Sequence, residues 1–254
     1  MALFLDLLLG HMLGDFLLQP GRLVAAKRDG WRGLLLHTSI VGLATALATL
    51  GTLNRDWIAV AMVTLAHLVI EKITILAYER TPTRGLFTLL FDQSLHLLSI
   101  AAVVALVDGG LQPTAASSVF GIAVGTRVLA IAVGVVTVAL GGSILAFEAA
   151  NALAPDGSKG SLLRLDVARI AGMVERGGSI GLALAFGPAI GPVTFAPRVV
   201  WALTLSRDQR RRQLAEAAAG LLLCAIVFFG IQAVATLVDS GTIPAMSWPL
   251  WGPG

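Results

Sequence analysis

Apolar residues in this chain run in long stretches, broken by short segments rich in basic residues, glycine or proline. Neither the strict alternation of a half-buried strand nor the narrow stripe of a surface helix dominates. Stretches of about 17–25 apolar residues are long enough to cross a bilayer as helices. Candidates fall near 2–19, 31–52, 57–78, 85–107, 119–148, 170–190, 193–206 and 214–238. The pattern predicts an all-α polytopic transmembrane bundle of about eight spans, seven to nine at the limits. The fifth stretch is long enough to tilt or to project beyond the bilayer. GPAIGPVTFAP (187–197) reads as a tight turn, a broken helix or a re-entrant piece. Gly177 and Gly181 are spaced for close helix contact. Two halves follow: 1–110, and 111–254 with a loop near 152–169.

Composition supports the membrane reading. The chain has 254 residues, 56% hydrophobic and 13% charged, against roughly 25% charged in soluble domains. Its mean hydropathy is +0.85. The single Cys224 lies in an apolar run and rules out an intramolecular disulfide. A net charge of +3 is carried by short loops, which speaks for membrane topology and against a nucleic-acid partner. Arg22, Lys27, Arg28 and Arg32 fill the first loop, and Arg80 and Arg84 the third. Lys159, Arg164 and Arg169 fill the fifth, and Arg207, Arg210, Arg211 and Arg212 the seventh. The second offers Arg55 and the fourth no basic residue. Odd loops are therefore expected in the cytoplasm and both termini outside. Residues 2–19 lack a basic leader and carry His11 and Asp15, so they read as a retained span rather than a signal peptide.

The four histidines fall one each in the first four spans: His11, His37, His67 and His96. Three have a carboxylate four residues away: Asp15, Glu71 and Asp92. Positions i and i+4 share a helix face, so each pair offers two donors to one region. The order reverses in the fourth span, which runs the opposite way, and every carboxylate lands on the cytoplasmic side of its histidine. At 1.5 Å per residue, the carboxylates lie roughly 6–10 Å deep and the paired histidines roughly 12–16 Å deep. Imidazole and carboxylate together suit zinc, with iron or manganese as options, and seven donors suit one or two ions. The blander alternative is a proton path or polar packing network among protonated acids and histidines. Lys72 is a candidate for an ion pair or for an anionic substrate. Gln19, Thr38, Ser39, Gln93 and Ser94 are polar neighbours.

GHMLGDFLLQ, LLLHT, HLVIEK and FDQSLH resemble signatures of an uncharacterised bacterial integral-membrane family, domain of unknown function 3307. RIAGMVERGGSIGLAL resembles that family's later segment around Gly172, Glu175 and Arg176. More distantly, the first half is similar to YdjM-type membrane-bound metal-dependent hydrolases. The resemblance implies a multi-pass protein of a bacterial plasma (inner) membrane. The likeness to YdjM-type proteins implies a metal-dependent hydrolase, and burial of the site within the membrane favours a lipid-like or phosphoester substrate.

One or two zinc-like ions are then expected on His11, Asp15, His37, His67, Glu71, Asp92 and His96. Asp15, Glu71 or Asp92 would serve as base or as support for a ligating histidine, with Lys72 as a further catalytic candidate. Glu175 and Arg176 are expected to complete the pocket or hold a headgroup, or else to form an internal salt bridge. The alternative function is a proton or divalent-cation transporter that uses the same residues as a transit site. A third reading is a scaffold whose polar layer only specifies helix packing.

Overall fold

The computed structural model describes residues 1–80, 85–109, 114, 116–153 and 167–240. Arg84, Lys159, Arg164 and most of the loop read near 152–169 lie outside the described residues. Helix α1 (Ala2–Met12) runs straight into a π-turn, Leu13–Leu17, closed when the Leu18 N–H donates to the Leu13 carbonyl at 2.9 Å. Pro20 stops further propagation, and the chain bends by 92° into α2 (Gly21–Asp29). The sequence reading has a loop here, because α2 is short and basic and its main apolar anchor is the buried Leu23. Three longer helices follow: α3 (Trp31–Ala48), α4 (Leu53–Arg80) and α5 (Gly85–Asp108).

A small antiparallel hairpin comes next, β1 (Ala116–Val119) paired with β2 (Ile122–Gly125). This corrects the all-α expectation and moves the start of the fifth span from 119 to 126. The turn residues Phe120 and Gly121 have φ of 51° and 78°, both in the left-handed region that suits a tight hairpin. The Phe120 N–H donates to the Ala48 carbonyl, and the Ser117 hydroxyl to the Asp6 carboxylate. The hairpin thereby ties one end of α1 to one end of α3. Helix α6 (Thr126–Val136) passes through a second π-turn, Thr137–Gly141, into α7 (Gly142–Ala152). Helix α8 (Val167–Phe186) ends at Gly187, whose φ is 99°. A turn and a 3-10 segment, Gly191–Phe195, lead to the short α9 (Ala196–Leu203), and α10 (Arg207–Ser240) closes the fold.

Four stretches among the described residues are long and apolar enough to cross a membrane: α4, α5, α6 with α7, and α10. A fifth is available if α1, its π-turn and α2 form one broken span. Among the described residues, four to five stretches thus meet the length and apolarity of a span, against the eight expected. Prolines split 187–203 into a turn, a 3-10 segment and an eight-residue helix about 12 Å long. Helices α3 and α8 are less apolar, carrying Arg32 and His37, and Arg169, Glu175 and Arg176. Exposed Leu65, Leu98, Leu222 and Phe229 give the outer surface the apolar character a bilayer requires.

Three apolar clusters hold the helices together. Leu3, Leu7, Val63, Ile100 and Val104 join α1, α4 and α5. Val138, Ile180, Phe195, Cys224 and Phe228 join the second half. Leu5 and Leu9 of α1 meet Val119, Leu129 and Val133, so α1 packs against both halves. Its other contact is with α3, at Gly10 and Gly14. A Cβ on Gly10 would collide with the backbone of Thr45, and one on Gly14 would lie 2.6 Å from the Val41 Cα. Gly177 and Gly181, by contrast, would meet nothing within 4 Å. Close approach is thus assigned to the first pair and not to the second.

Gly10→Ala and Gly14→Ala are expected to destabilise the protein by about 1–3 kcal/mol through overpacking. Gly177→Ala should stay within about 0.5 kcal/mol. Thermal unfolding in one detergent checks all three.

Candidate metal centre

The close α1–α3 contact sets His11 and Asp15 beside His37. Four imidazoles, one each from α1, α3, α4 and α5, then form a single buried cluster. None is more than 2% exposed. His67 stands at its middle: its ring centroid lies 4.9 Å from His11, 5.0 Å from His37 and 4.7 Å from His96. His11 and His96 are 4.6 Å apart.

The carboxylates are dealt out differently from the i, i+4 expectation. Only Asp92 faces the histidine of its own helix, with its Oδ1 3.4 Å from His96 Nε2. Asp15 turns to His37, its Oδ1 3.3 Å from Nε2, because the π-turn rotates residues 13–17 out of the α-helical register. Glu71 also faces His37, at 3.6 Å. His37 Nε2 lies 3.0 Å from His67 Nε2, so Asp15, Glu71, His37 and His67 form one chain of polar contacts.

Lys27 supplies the cation the sequence reading does not assign to the site. Its Nζ donates to Glu71 Oε1 at 2.8 Å, with Glu71 buried and Lys27 largely shielded. With its amide oxygen turned toward Lys27, Gln19 accepts from Nζ at 2.7 Å and donates to the Asp15 carbonyl at 3.2 Å. Helix α2 is what delivers Lys27, and its bend away from α1 is what lets the side chain reach Glu71. The available signal was a lysine inside a nine-residue helical stretch directly after a proline. Lys72 points elsewhere, its Nζ 5.2 Å from the centroid of the Trp31 ring.

Several predicted neighbours are spent on other bonds. The Ser39 and Ser94 hydroxyls donate to carbonyls of their own helices, Leu35 and Leu90. Gln93 donates to Asp92 Oδ2 at 2.9 Å. Thr38 is buried beside His37 in sequence. Glu175 and Arg176 belong to a separate network in the second half. Glu175 and Glu216 accept from Arg198 at 2.7 and 2.8 Å. Arg176 donates to the Val138 carbonyl at 2.7 Å and to Ser143 at 2.6 Å, steadying the second π-turn. Neither lines the two cavities that border the histidines, which corrects their expected place in the pocket.

Donor atoms converge in three overlapping groups, each within 4.8 Å: His11, His67 and His96; Asp15, His37, His67 and Glu71; and Asp15, Asp92 and His96. All seven candidates are included. The groups are not chemically equal. Both ring nitrogens of His11 and His96, and Nδ1 of His67, are buried without a hydrogen-bond partner. His37 is engaged at Nε2, and Glu71 is already held by Lys27. Each buried polar atom left without a partner costs about 1–3 kcal/mol. Coordination by a cation would satisfy the three imidazoles of the first group, a donor set suited to zinc with one position open.

Two cavities border this centre. One, of about 480 Å³, is apolar and reaches His11 and His96. The other, of about 640 Å³, is mixed, with charged groups set among apolar walls, and reaches Asp15, Glu71 and Asp92.

Residues 3–120 match the family described as "Protein of unknown function (DUF3307)". The matched segment contains all seven donors and Lys27, and ends within the hairpin. No curated protein and no solved structure matches the chain.

Replacing Lys27 by Met strands Glu71 in a buried setting and is expected to destabilise the protein by about 3–5 kcal/mol. Adding Glu71→Gln should recover a large part of that loss. A double-mutant cycle of thermal unfolding measures the coupling.

Proposed function

We propose that this chain is an integral-membrane, metal-dependent hydrolase with a zinc-like ion on His11, His67 and His96. The observation that carries the reading is the set of buried ring nitrogens on these three residues that make no hydrogen bond, with the Asp92 carboxylate 3.4 Å from His96 Nε2. Asp15 or Asp92 completes the coordination or acts as base, since both fall in one donor group with His96. A second ion, where present, takes the Asp15, His37, His67 and Glu71 group. A bound divalent ion supplies Lewis acidity and lowers the pKa of its water toward about 7.

The residues of the chain then have distinct tasks. The carboxylate takes a proton from the attacking water, whose oxygen bonds to the phosphorus or carbonyl carbon of an ester. The ester bond breaks and the proton passes to the leaving alcohol. His37, fixed by Asp15 and Glu71, orients His67, and Asp92 orients His96. The substrate is lipid-like or a phosphoester, in keeping with a centre buried among apolar helices. The basic loops support a charge-lined cavity open to the cytoplasm, both termini outside, and the inner membrane of a bacterium. In an eight-crossing topology, Gly191–Leu203 would be a short returning segment. The likeness to YdjM-type hydrolases agrees with this chemistry and remains at the level of motifs.

Purified full-length protein is expected to retain stoichiometric zinc after dialysis, while His67→Ala loses most of it and Asp92→Ala retains less than wild type. Elemental analysis checks this, and loss of activity on lipid phosphoesters should follow metal loss. Zinc that exchanges freely and crosses proteoliposomes would instead support a transporter. Wild type without zinc after resupply would contradict both.

A further inference from the structure

The two cavities both border the metal centre and differ in lining, the second carrying the charged groups. The apolar cleft runs between α1, α5, α6 and α10, with Phe4, Leu8, Leu97, Val133, Ile226 and Gly230 among its walls. Leu97 and Ile226, on α5 and α10, are 47% and 60% exposed, so the cleft's mouth faces the surrounding lipid. The charge-lined chamber holds Lys27, Arg28 and Arg169 together with the site carboxylates. Phe16, Leu89 and Gln93 line both spaces, which are therefore adjacent. His11 and His96 face the cleft, whereas Asp15, Glu71 and Asp92 face the chamber.

We infer that the ligand of this site is a membrane amphiphile with a phosphate-bearing head, its chain in the cleft and its head in the chamber beside the histidine cluster. Each cavity falls in the roughly 300–1,000 Å³ range of small-molecule sites. A wholly water-soluble phosphoester leaves the cleft unused, and an uncharged lipid makes no use of Arg28 in the chamber wall. Charge balance favours phosphate as the head. Asp15, Glu71, Asp92 and Glu148 outnumber Lys27, Arg28 and Arg169 by one in the chamber lining, and one divalent ion reverses that sign. An anionic head therefore suits the loaded site. This inference rests on the metal-centre reading for that reversal and adds the class and placement of the ligand.

The test uses zinc-loaded full chain in nanodiscs carrying a bound fluorescent alkyl phosphate. Hexadecyl phosphate, hexadecanol and inorganic phosphate are the competitors. Hexadecyl phosphate is expected to displace the probe at concentrations about tenfold or more below either of the others. A Cβ on Gly230 meets nothing within 4 Å, so Gly230→Leu extends into the cleft without straining the backbone. That variant should weaken hexadecyl phosphate about tenfold while keeping wild-type zinc content. Arg28→Gln should weaken hexadecyl phosphate and leave hexadecanol unchanged.

Equal competition by hexadecanol would overturn the phosphate head. Equal competition by inorganic phosphate would point to a free anion and overturn the amphiphile. Unchanged binding in Gly230→Leu would overturn the placement of the chain. Zinc-loaded protein that ignores hexadecyl phosphate would sink this inference and leave the metal reading standing. Protein that takes up no zinc on resupply yet still prefers hexadecyl phosphate would do the reverse.

Discussion

Ionisable side chains inside a bundle of apolar helices are expensive, and here seven of them share one small volume. An isolated charge at mid-helix costs about 2.5–3.5 kcal/mol even on the lenient insertion scale. The protein offsets part of that cost by interlocking the groups. Lys27 neutralises Glu71, and His37 is flanked by Asp15, Glu71 and His67. What this internal pairing leaves over is a set of ring nitrogens on His11, His67 and His96 without a hydrogen bond, His96 Nε2 having the Asp92 carboxylate 3.4 Å away. The metal proposal follows from that remainder, since cation binding contributes on the order of 10–16 kcal/mol in small zinc peptides.

The surrounding fold is arranged to sustain this packing. Gly10 and Gly14 let α1 lie backbone to backbone on α3, and the π-turn that follows aims Asp15 across to His37. The hairpin then fastens the far end of the same two helices through Ser117 and Phe120. In the second half, Arg176 satisfies carbonyls at the other π-turn, Thr137–Gly141, whose Thr137 and Gly141 line the apolar cleft. The half without donors therefore supplies a wall of the cavity. This division agrees with a family match that stops near the hairpin.

Much of this was legible in the residues. The long apolar runs announce membrane-length helices, and histidines placed one per span, with acids one turn away, announce a shared site. Side-chain partners were less legible. Spacing in sequence assumes α-helical register, and the π-turn at Leu13–Leu17 breaks it, so Asp15 serves His37 rather than His11. Glu71 leaves its own-helix histidine because Lys27 draws it toward α2. That helix was hidden because basic residues before a glycine read as a loop. The hairpin at 116–125 was hidden because its second strand is as apolar as the helix after it. Glu175 and Arg176 show that a charged pair in an apolar stretch need not join the nearest site, since Arg198 and backbone carbonyls satisfy them locally.

The central claim is that His11, His67 and His96 ligate one cation, and X-ray absorption at the zinc edge of loaded protein tests it most directly. The account predicts nitrogen and oxygen neighbours at about 2.0–2.1 Å with the multiple scattering of imidazole rings. That scattering should fall when His67 is replaced. A spectrum of oxygen alone, or one unaffected by His67→Ala, would contradict it.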